Sequence, residues 1–336
     1  MKVLVTGASG FVGRSLTEEL RNYGHKVTAS SRSRVEQPGI FYVQSPELDP
    51  DADWSDALSD IDTVVHLAGL AHITSEKSDA ETDEKYLRTN AEGSRKLVEQ
   101  CAVAGVRHFV FLSSCHAVTA GSDEVLTDHT NPRPVSAYGR SKLAAEDAIK
   151  SVLAGSDCAW TILRPPLVYG PGSKANFGSL VKLVQTGLPL PLASVRNRRS
   201  FIYVENLVDL IATCLGNPKA FGKIFYPSNG DDLSTAELIE KIARAETRDL
   251  SRRQAQAKPE CSGGGCAARR ARLFPFPESL LKVMGLLPGL GALRKLTSSL
   301  YVDSEPIRRD LGWIPPFTME EGLRRTLAAP MHKADQ

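Results

Sequence analysis

The chain has 336 residues, 42% hydrophobic and 24% charged, with 41 basic against 39 acidic side chains and a net charge of +2. That composition supports a large folded core and gives bulk electrostatics no pull toward nucleic acid or an anionic membrane. The opening MKVLVTGAS leaves no room for a signal peptide, and no apolar run nears the roughly 20 residues of a membrane span, so a cytoplasmic protein with neither nucleic-acid nor membrane partners is expected.

Lys2–Thr6 reads as a buried strand and Gly13–Tyr23 as a helix whose Leu16 and Leu20 share one face. Between them runs T-G-A-S-G-F-V-G. In that pattern Gly7 permits a tight turn, Gly10 lets backbone N–H groups approach a pyrophosphate, and Gly13 lets helix and strand pack closely. The helix start, through Phe11 and Val12, then offers unpaired N–H donors and a partial positive charge to phosphates. Lys26–Ser30 reads as the second strand, where a NAD site usually places Asp or Glu about 20 residues after the glycines. Here Ser31 and Arg32 follow without an acid. Hydroxyls and a guanidinium suit a 2′-phosphate, so NADPH is favoured over NAD.

Asp62–Leu67, Phe109–Ser113 and Trp160–Leu163 are short continuous apolar runs and read as further parallel strands. Helical patterns at Tyr86–Ala104 and Ser141–Leu153 separate them. The alternation predicts an α/β fold with a doubly wound parallel sheet. Tyr138 and Lys142, in Y-G-R-S-K, stand four residues apart and share one helix face. An ammonium beside a phenol favours the phenolate and lowers its pKa, which makes the pair suited to acid/base work. Ser113 and Ser114 end a strand that opens on the same cleft.

After Arg164 prolines cluster, which predicts a smaller ligand-binding domain over the sheet's carboxyl edge, 166–336 against 1–165, with some later segments returning to the first. Ser251–Arg272, after a helix at Thr235–Ala245, has no period. It reads as a flexible insertion or a locally altered reading of the gene. Cys101, Cys115, Cys158 and Cys214 sit singly in apolar segments as buried thiols, while Cys261 and Cys266 lack partners for a zinc site, so no metal is expected.

These motifs, with HLAG at 66–69, RPPLVYGPG at 164–172, RRSFIYVENL at 198–207 and LGWIPP at 311–316, resemble the extended short-chain dehydrogenases/reductases. The resemblance is specifically to the NAD-dependent epimerase/dehydratase family of nucleotide-sugar enzymes. It implies a Rossmann-like fold with a smaller, mostly C-terminal substrate-binding domain, bound NAD(P), a UDP-linked sugar substrate and a homodimer through the helices at 86–104 and 141–153.

Carried over by resemblance, Tyr138 is the general acid/base, Lys142 its modulator and nicotinamide-ribose ligand, and Ser114 the hydroxyl that holds the sugar oxygen. Leu67, Ala68, Gly69, Asn90, Ser113 and Pro165 line the cofactor's path. Glu47, beside Leu48, stands where relatives often hold an adenine-contacting Asp. Arg199 falls where relatives grip the nucleotide diphosphate, and Asn176 where they contact substrate; each also has a plain reading, as a surface charge and as a helix cap. His116 and His72 are placed to face the cleft, whereas His66 reads as structural.

One departure bears on the reaction. Sugar-nucleotide 4,6-dehydratases resemble one another in an Asp-Glu pair where this chain has Cys115 and His116, which argues against dehydration. Three readings stay open: reduction of a 4-keto-6-deoxy, N-acetylated UDP-hexose at C4, which is favoured; a UDP-hexose 4-epimerase with tightly held NAD; and a non-catalytic NAD(P)-binding regulator. The complete Ser114, Tyr138 and Lys142 set argues against the last.

Overall fold

The apolar runs of the first half assemble into one sheet whose two faces are both covered. The computed structural model describes residues 1–32, 37–71, 80–173, 176–256, 272–287 and 290–328. The chain begins with β1 (Lys2–Thr6), α1 (Phe11–Asn22), β2 (Lys26–Ser31), β3 (Phe41–Gln44), α2 (Ser55–Leu58) and β4 (Thr63–His66). α3 (Ala80–Tyr86), a π-helical turn at Leu87–Glu92, α4 (Gly93–Val103), β5 (His108–Leu112), α5 (Ala137–Val152) and β6 (Ala159–Leu163) follow. Next come β7 (Leu167–Tyr169), α6 (Asn176–Gln185), β8 (Phe201–Tyr203), α7 (Val204–Cys214), β9 (Lys223–Phe225) and α8 (Thr235–Gln256). α9 (Glu278–Met284), α10 (Gly291–Thr297), α11 (Glu305–Leu311) and α12 (Met319–Ala328) close the described chain.

The central sheet has seven strands in the order β3-β2-β1-β4-β5-β6-β9, every pair parallel. This is the doubly wound, Rossmann-like topology. The order reverses between β1 and β4, where a crevice opens beyond the strands' carboxyl ends. Val3, Val5, Val27, Val65, Val110 and Leu163 face α1 and α7, burying Leu16, Leu20, Leu207 and Ile211. Leu4, Val64, Phe109, Phe111 and Ile162 face the other way, onto Trp54, Leu97 and Ile149. Both faces are apolar, which is why these strands lack a polar alternation.

A second core gathers α6, α8 and α12 around the parallel pair β7 and β8, through Phe177, Val181, Ile239, Leu323, Tyr169 and Tyr203. β9 and Ile307 of α11 go back to the first core. Trp313 goes with them, its indole N–H donating to Asp209 Oδ1 at 2.6 Å.

Several elements differ from expectation. The helix expected over 86–104 is interrupted by the π-helical turn, whose extra residue shifts the side chains after it around the axis. The helix expected to end at Ala245 runs on to Gln256, past the start of the expected insertion at Ser251. Residues 257–271, with Cys261 and Cys266, and His72 lie outside the described residues. Strands β3, β7, β8 and β9 have three or four residues each, too few to display a period. Cys101, Cys115, Cys158 and Cys214 are buried free thiols, as expected.

Two glycines set how closely α1 meets the sheet. Gly7 has φ +69°, in the left-handed region, and a Cβ there would lie 2.8 Å from the Ala68 nitrogen. A Cβ on Gly13 would lie 2.3 Å from the Gly7 carbonyl oxygen. Gly13→Ala is therefore expected to force α1 away from β1 and lower stability by about 1–3 kcal/mol. A urea midpoint equal to that of the parent chain would show that the close approach is not what seats the helix.

Candidate active site

The crevice at the β1–β4 switch is lined first by backbone. Gly10, at φ −72° and ψ 175°, precedes α1, and no side chain caps the helix. The first-turn N–H groups thus have no intrahelical acceptor, and together with the glycine cradle they fit a dinucleotide pyrophosphate. Phe11 and Val12 open α1 half-buried and pack toward the second core. At the end of β2, the Ser31 carbonyl accepts the Tyr42 hydroxyl at 2.7 Å and the Ser45 N–H at 3.1 Å. Arg32 is exposed, and its carbonyl accepts Gln44 Nε2 at 3.3 Å. Glu47 is exposed on the following loop, whereas Leu48 is half-buried against Gly93, where a Cβ would lie 2.7 Å from its carbonyl carbon.

The end of β4 is held from below. Leu67 N–H donates to the Thr6 carbonyl at 3.3 Å and Ala68 N–H to Thr6 Oγ1 at 3.3 Å. His66 stands buried between Thr6 Oγ1 at 2.7 Å and Ser94 Oγ at 2.9 Å. Burial, with the Lys142 charge adding to it, pushes His66 down to about 3, so it is a neutral strut. Asn90, on the π-helical turn, accepts Leu70 N–H at 2.7 Å and donates to the Leu70 carbonyl and Ser141 Oγ, both at 2.9 Å. Its amide ties the strand-end loop to α5. Gly69 fits the gap that remains, since a Cβ there would lie 2.9 Å from Asn90 Oδ1 and 3.5 Å from Lys142 Nζ.

α5 carries the reactive groups. Ser136 caps it, accepting Gly139 N–H at 3.0 Å. A Cβ on Gly139 would lie 2.2 Å from the His116 carbonyl oxygen, so only glycine lets α5 come this close. The Tyr138 hydroxyl is hydrogen-bonded with Ser114, and its ring stands 6.1 Å from Tyr86 and 6.2 Å from His116 between centroids. His116 N–H donates to Ser114 Oγ at 3.2 Å, occupying a lone pair and leaving that hydroxyl's proton for another acceptor. Lys142 Nζ donates to the Leu112 carbonyl at 2.9 Å and lies 4.6 Å from the centre of the Phe111 ring.

The same burial shifts these two groups in opposite senses. Tyr138 is pushed up to about 12 by burial, opposed in part by its hydrogen bond with Ser114. Lys142 is pushed down to about 8 by burial, opposed by the Glu146 carboxylate. The expected lowering of Tyr138 by Lys142 is thus not what this arrangement gives. The spacing puts both on one helix face, yet the ammonium is directed at the Leu112 carbonyl, and desolvation dominates at the phenol.

Sequence reasoning missed Glu146. It stands one turn beyond Lys142, completing Tyr138, Lys142, Glu146 at i, i+4 and i+8, and that spacing was the available signal. Glu146 is fully buried and accepts the Ser113 hydroxyl, so Ser113, expected at the cofactor, turns its side chain to the carboxylate instead. Arg164 grips the same carboxylate through Nε at 3.0 and 3.2 Å and Nη2 at 2.5 Å, and donates to Tyr226 Oη at 2.6 Å.

On the substrate side, the Pro165 carbonyl accepts Cys115 N–H at 3.0 Å, and the Cys115 thiol donates to the Arg164 carbonyl at 3.2 Å. Burial pushes that thiol well up, so it is no acid/base group. Arg199 lies between Leu233 and Leu300, its guanidinium donating to the Lys295 carbonyl, and burial works against its charge. Asn176 starts α6 with its side chain outside the described residues.

The profile of the NAD dependent epimerase/dehydratase family matches residues 3–225. A UDP-glucose 4-epimerase of Vibrio cholerae is 34% identical over 97% of this chain and 94% of its own. A 2-alkyl-3-oxoalkanoate reductase of Stenotrophomonas maltophilia is 28% identical over 98% of this chain and 99% of its own. The solved structure of MoeE5 in complex with UDP-glucuronic acid and NAD superposes with a TM-score of 0.71 at 26% identity, covering 97% of this chain and 98% of that one.

The Lys142 shift sets a pH dependence. The ammonium loses its proton as pH rises through about 8, so kcat/KM is expected to fall across that range. Glu146→Gln removes the charge that opposes the shift, so the falling limb should move to lower pH. The same change leaves Arg164 buried without its partner, at about 3–5 kcal/mol in stability. A limb that stays in place in a folded Glu146→Gln protein would separate Glu146 from the Lys142 charge.

Proposed function

The chain belongs to the NAD dependent epimerase/dehydratase family, and from that premise we propose that it reduces the C4 ketone of a 4-keto-6-deoxy, N-acetylated UDP-hexose, with NADPH as reductant. Membership makes it an NAD(P)-binding oxidoreductase. The observation that carries the choice of reaction is the end of β2, where the Ser31 carbonyl is held by Tyr42 and Ser45 and Arg32 follows it exposed, with no acid directly after the strand. The acid is the Tyr138 phenol, kept neutral by burial and hydrogen-bonded with Ser114. Reduction leaves an alkoxide at C4 that must take a proton, and a neutral phenol is a donor suited to so strong a base. Ser114 holds the same oxygen from the other side. Lys142 supplies positive charge one turn away and a donor for the nicotinamide ribose.

The pyrophosphate rests on Gly7, Gly10 and Gly13, with Ser31 and Arg32 toward a 2′-phosphate and Glu47 and Leu48 toward the adenine. Leu67, Ala68, Gly69 and Pro165 border the nicotinamide end, and Asn90 shapes it. When bound, the nicotinamide supplies the hydride. Arg199 grips the nucleotide diphosphate and Asn176 contacts the substrate phosphate or sugar, with His116 beside the sugar. MoeE5, solved with UDP-glucuronic acid, supports the uridine diphosphate handle. The proposal includes a homodimer through the outer faces of α4 and α5.

Dehydration is disfavoured, because Cys115 is a buried thiol bonded to a carbonyl and no carboxylic pair follows Ser114. A 4-epimerase is the second reading, favoured by the 34% identity to the Vibrio cholerae enzyme. There Tyr138 would take a proton from the C4 hydroxyl and return it to the same oxygen.

The purified protein is expected to oxidise NADPH in the presence of UDP-4-keto-6-deoxy-N-acetylglucosamine, followed by dinucleotide absorbance. Tyr138→Phe should lose about 10²- to 10⁴-fold in turnover with dinucleotide binding kept, and Arg32→Ala should lose the preference for NADPH over NADH. Interconversion of UDP-glucose and UDP-galactose by protein that retains NAD through dialysis would replace the reductase with the epimerase.

A further inference from the structure

Away from the crevice, α9 and the connection from it to α10 carry an apolar surface that is exposed among the described residues. Leu281 of α9 is buried, and Leu293 and Leu296 of α10 pack toward the second core. Yet Leu280, Val283, Met284, Leu286, Leu287 and Leu290 face outward, with Leu286 71% and Val283 61% exposed. α9 is thus apolar on its outer as well as its inner face, whereas α10 turns Arg294 and Lys295 outward. Contiguous exposed patches of this kind mark interaction surfaces.

The charges around the patch indicate what covers it. Between residues 272 and 296 the basic side chains are Arg272, Lys282, Arg294 and Lys295, all exposed, against the single acid Glu278. Glu278 pairs with Lys282 at 2.9 Å and accepts Arg196 N–H at 3.1 Å, and Asp123 of a neighbouring loop also acts on Lys282. The patch remains positive, whereas the chain as a whole is almost neutral. A second copy docked about a two-fold would bring two positive patches face to face. An anionic lipid surface satisfies the leucines and the cations together.

We propose that the exposed apolar residues of α9 and of its connection to α10, with the cations of both helices, form an interfacial docking surface for an anionic phospholipid bilayer. The expectation of no membrane partner rested on net charge and on the lack of a spanning run, and neither addresses a local surface patch. Among the described residues no helix is long and apolar enough to cross a membrane, so the contact is a surface one. The patch is tied to the substrate side of the molecule. Leu190 bridges to Leu273, Ala193 N–H donates to the Phe274 carbonyl at 3.2 Å, and Arg199 donates to the Lys295 carbonyl. Docking through it therefore sets the second core, with Arg199, beside the bilayer.

The test is co-sedimentation of the full chain with vesicles of phosphatidylglycerol and phosphatidylcholine, or of phosphatidylcholine alone. The parent protein should pellet with the anionic vesicles, less so in high salt, and weakly with the neutral ones. Leu286→Glu with Leu287→Glu should weaken binding about tenfold or more, with an unchanged circular dichroism spectrum and unchanged NADPH binding. Arg294→Glu should weaken binding to the anionic vesicles only. Parent protein that stays in the supernatant with both vesicles, or a double variant that pellets equally well, would overturn the proposal. So would a dimer of the parent that the double variant abolishes, since the occupant would then be a second copy.

Discussion

A carboxylate and a guanidinium, buried together where β6 ends, hold the floor of the site. Removing both ions from water costs several kcal/mol each, and a pair so deep persists only when its remaining hydrogen-bonding capacity is filled. Here it is filled. Arg164 meets Glu146 through two nitrogens, Ser113 adds a third donor to the carboxylate, and Tyr226 takes another guanidinium N–H. Those four residues come from the end of β5, from α5, from the end of β6 and from the chain just after β9. The pair therefore fixes α5 against three strands, and with it the two residues that lie one and two turns earlier on the same face.

That fixed helix explains the electrostatics above it. Tyr138 and Lys142 share an environment poor in water, which penalises a phenolate and an ammonium alike. The phenol goes up and the amine comes down, but not equally freely, because Glu146 lies one turn below the amine and favours its charged form. What results is a neutral proton donor beside a cation, assembled before any ligand contributes. The Asn90 amide gives the arrangement its second wall, joining Leu70 to Ser141 and leaving between them a gap that admits no side chain at residue 69.

Much of this was legible in the sequence, and the boundary is physical. The sheet's inner strands announce themselves because both faces must be apolar, and the glycine turn because sterics at Gly7 and Gly13 admit nothing larger. The Tyr138 and Lys142 spacing was equally plain. The direction of the Lys142 ammonium was not, since it depends on the Leu112 carbonyl, thirty residues away in the chain. Nor was the Glu146 partnership, which joins residues from three separate parts of the chain. The π-helical turn was hidden because one extra residue per turn barely alters a helical period, although it decides where Asn90 points.

The choice between reductase and epimerase comes down to what each demands of the dinucleotide. An epimerase regenerates its cofactor within each cycle and gains by never releasing it. A reductase must exchange its cofactor at every turnover, so its site has to combine selectivity with an open edge. The β2 end has that character. The Ser31 backbone is pinned by Tyr42 and Ser45, while Arg32 beside it stands exposed. A fixed main chain presenting an exposed guanidinium can recognise a 2′-phosphate through charge and two parallel hydrogen bonds. No acid directly follows the strand, where a site built to hold a ribose diol would place one. The proton chemistry above the sheet runs in either direction, so it is this edge, not the phenol, that separates the two reactions.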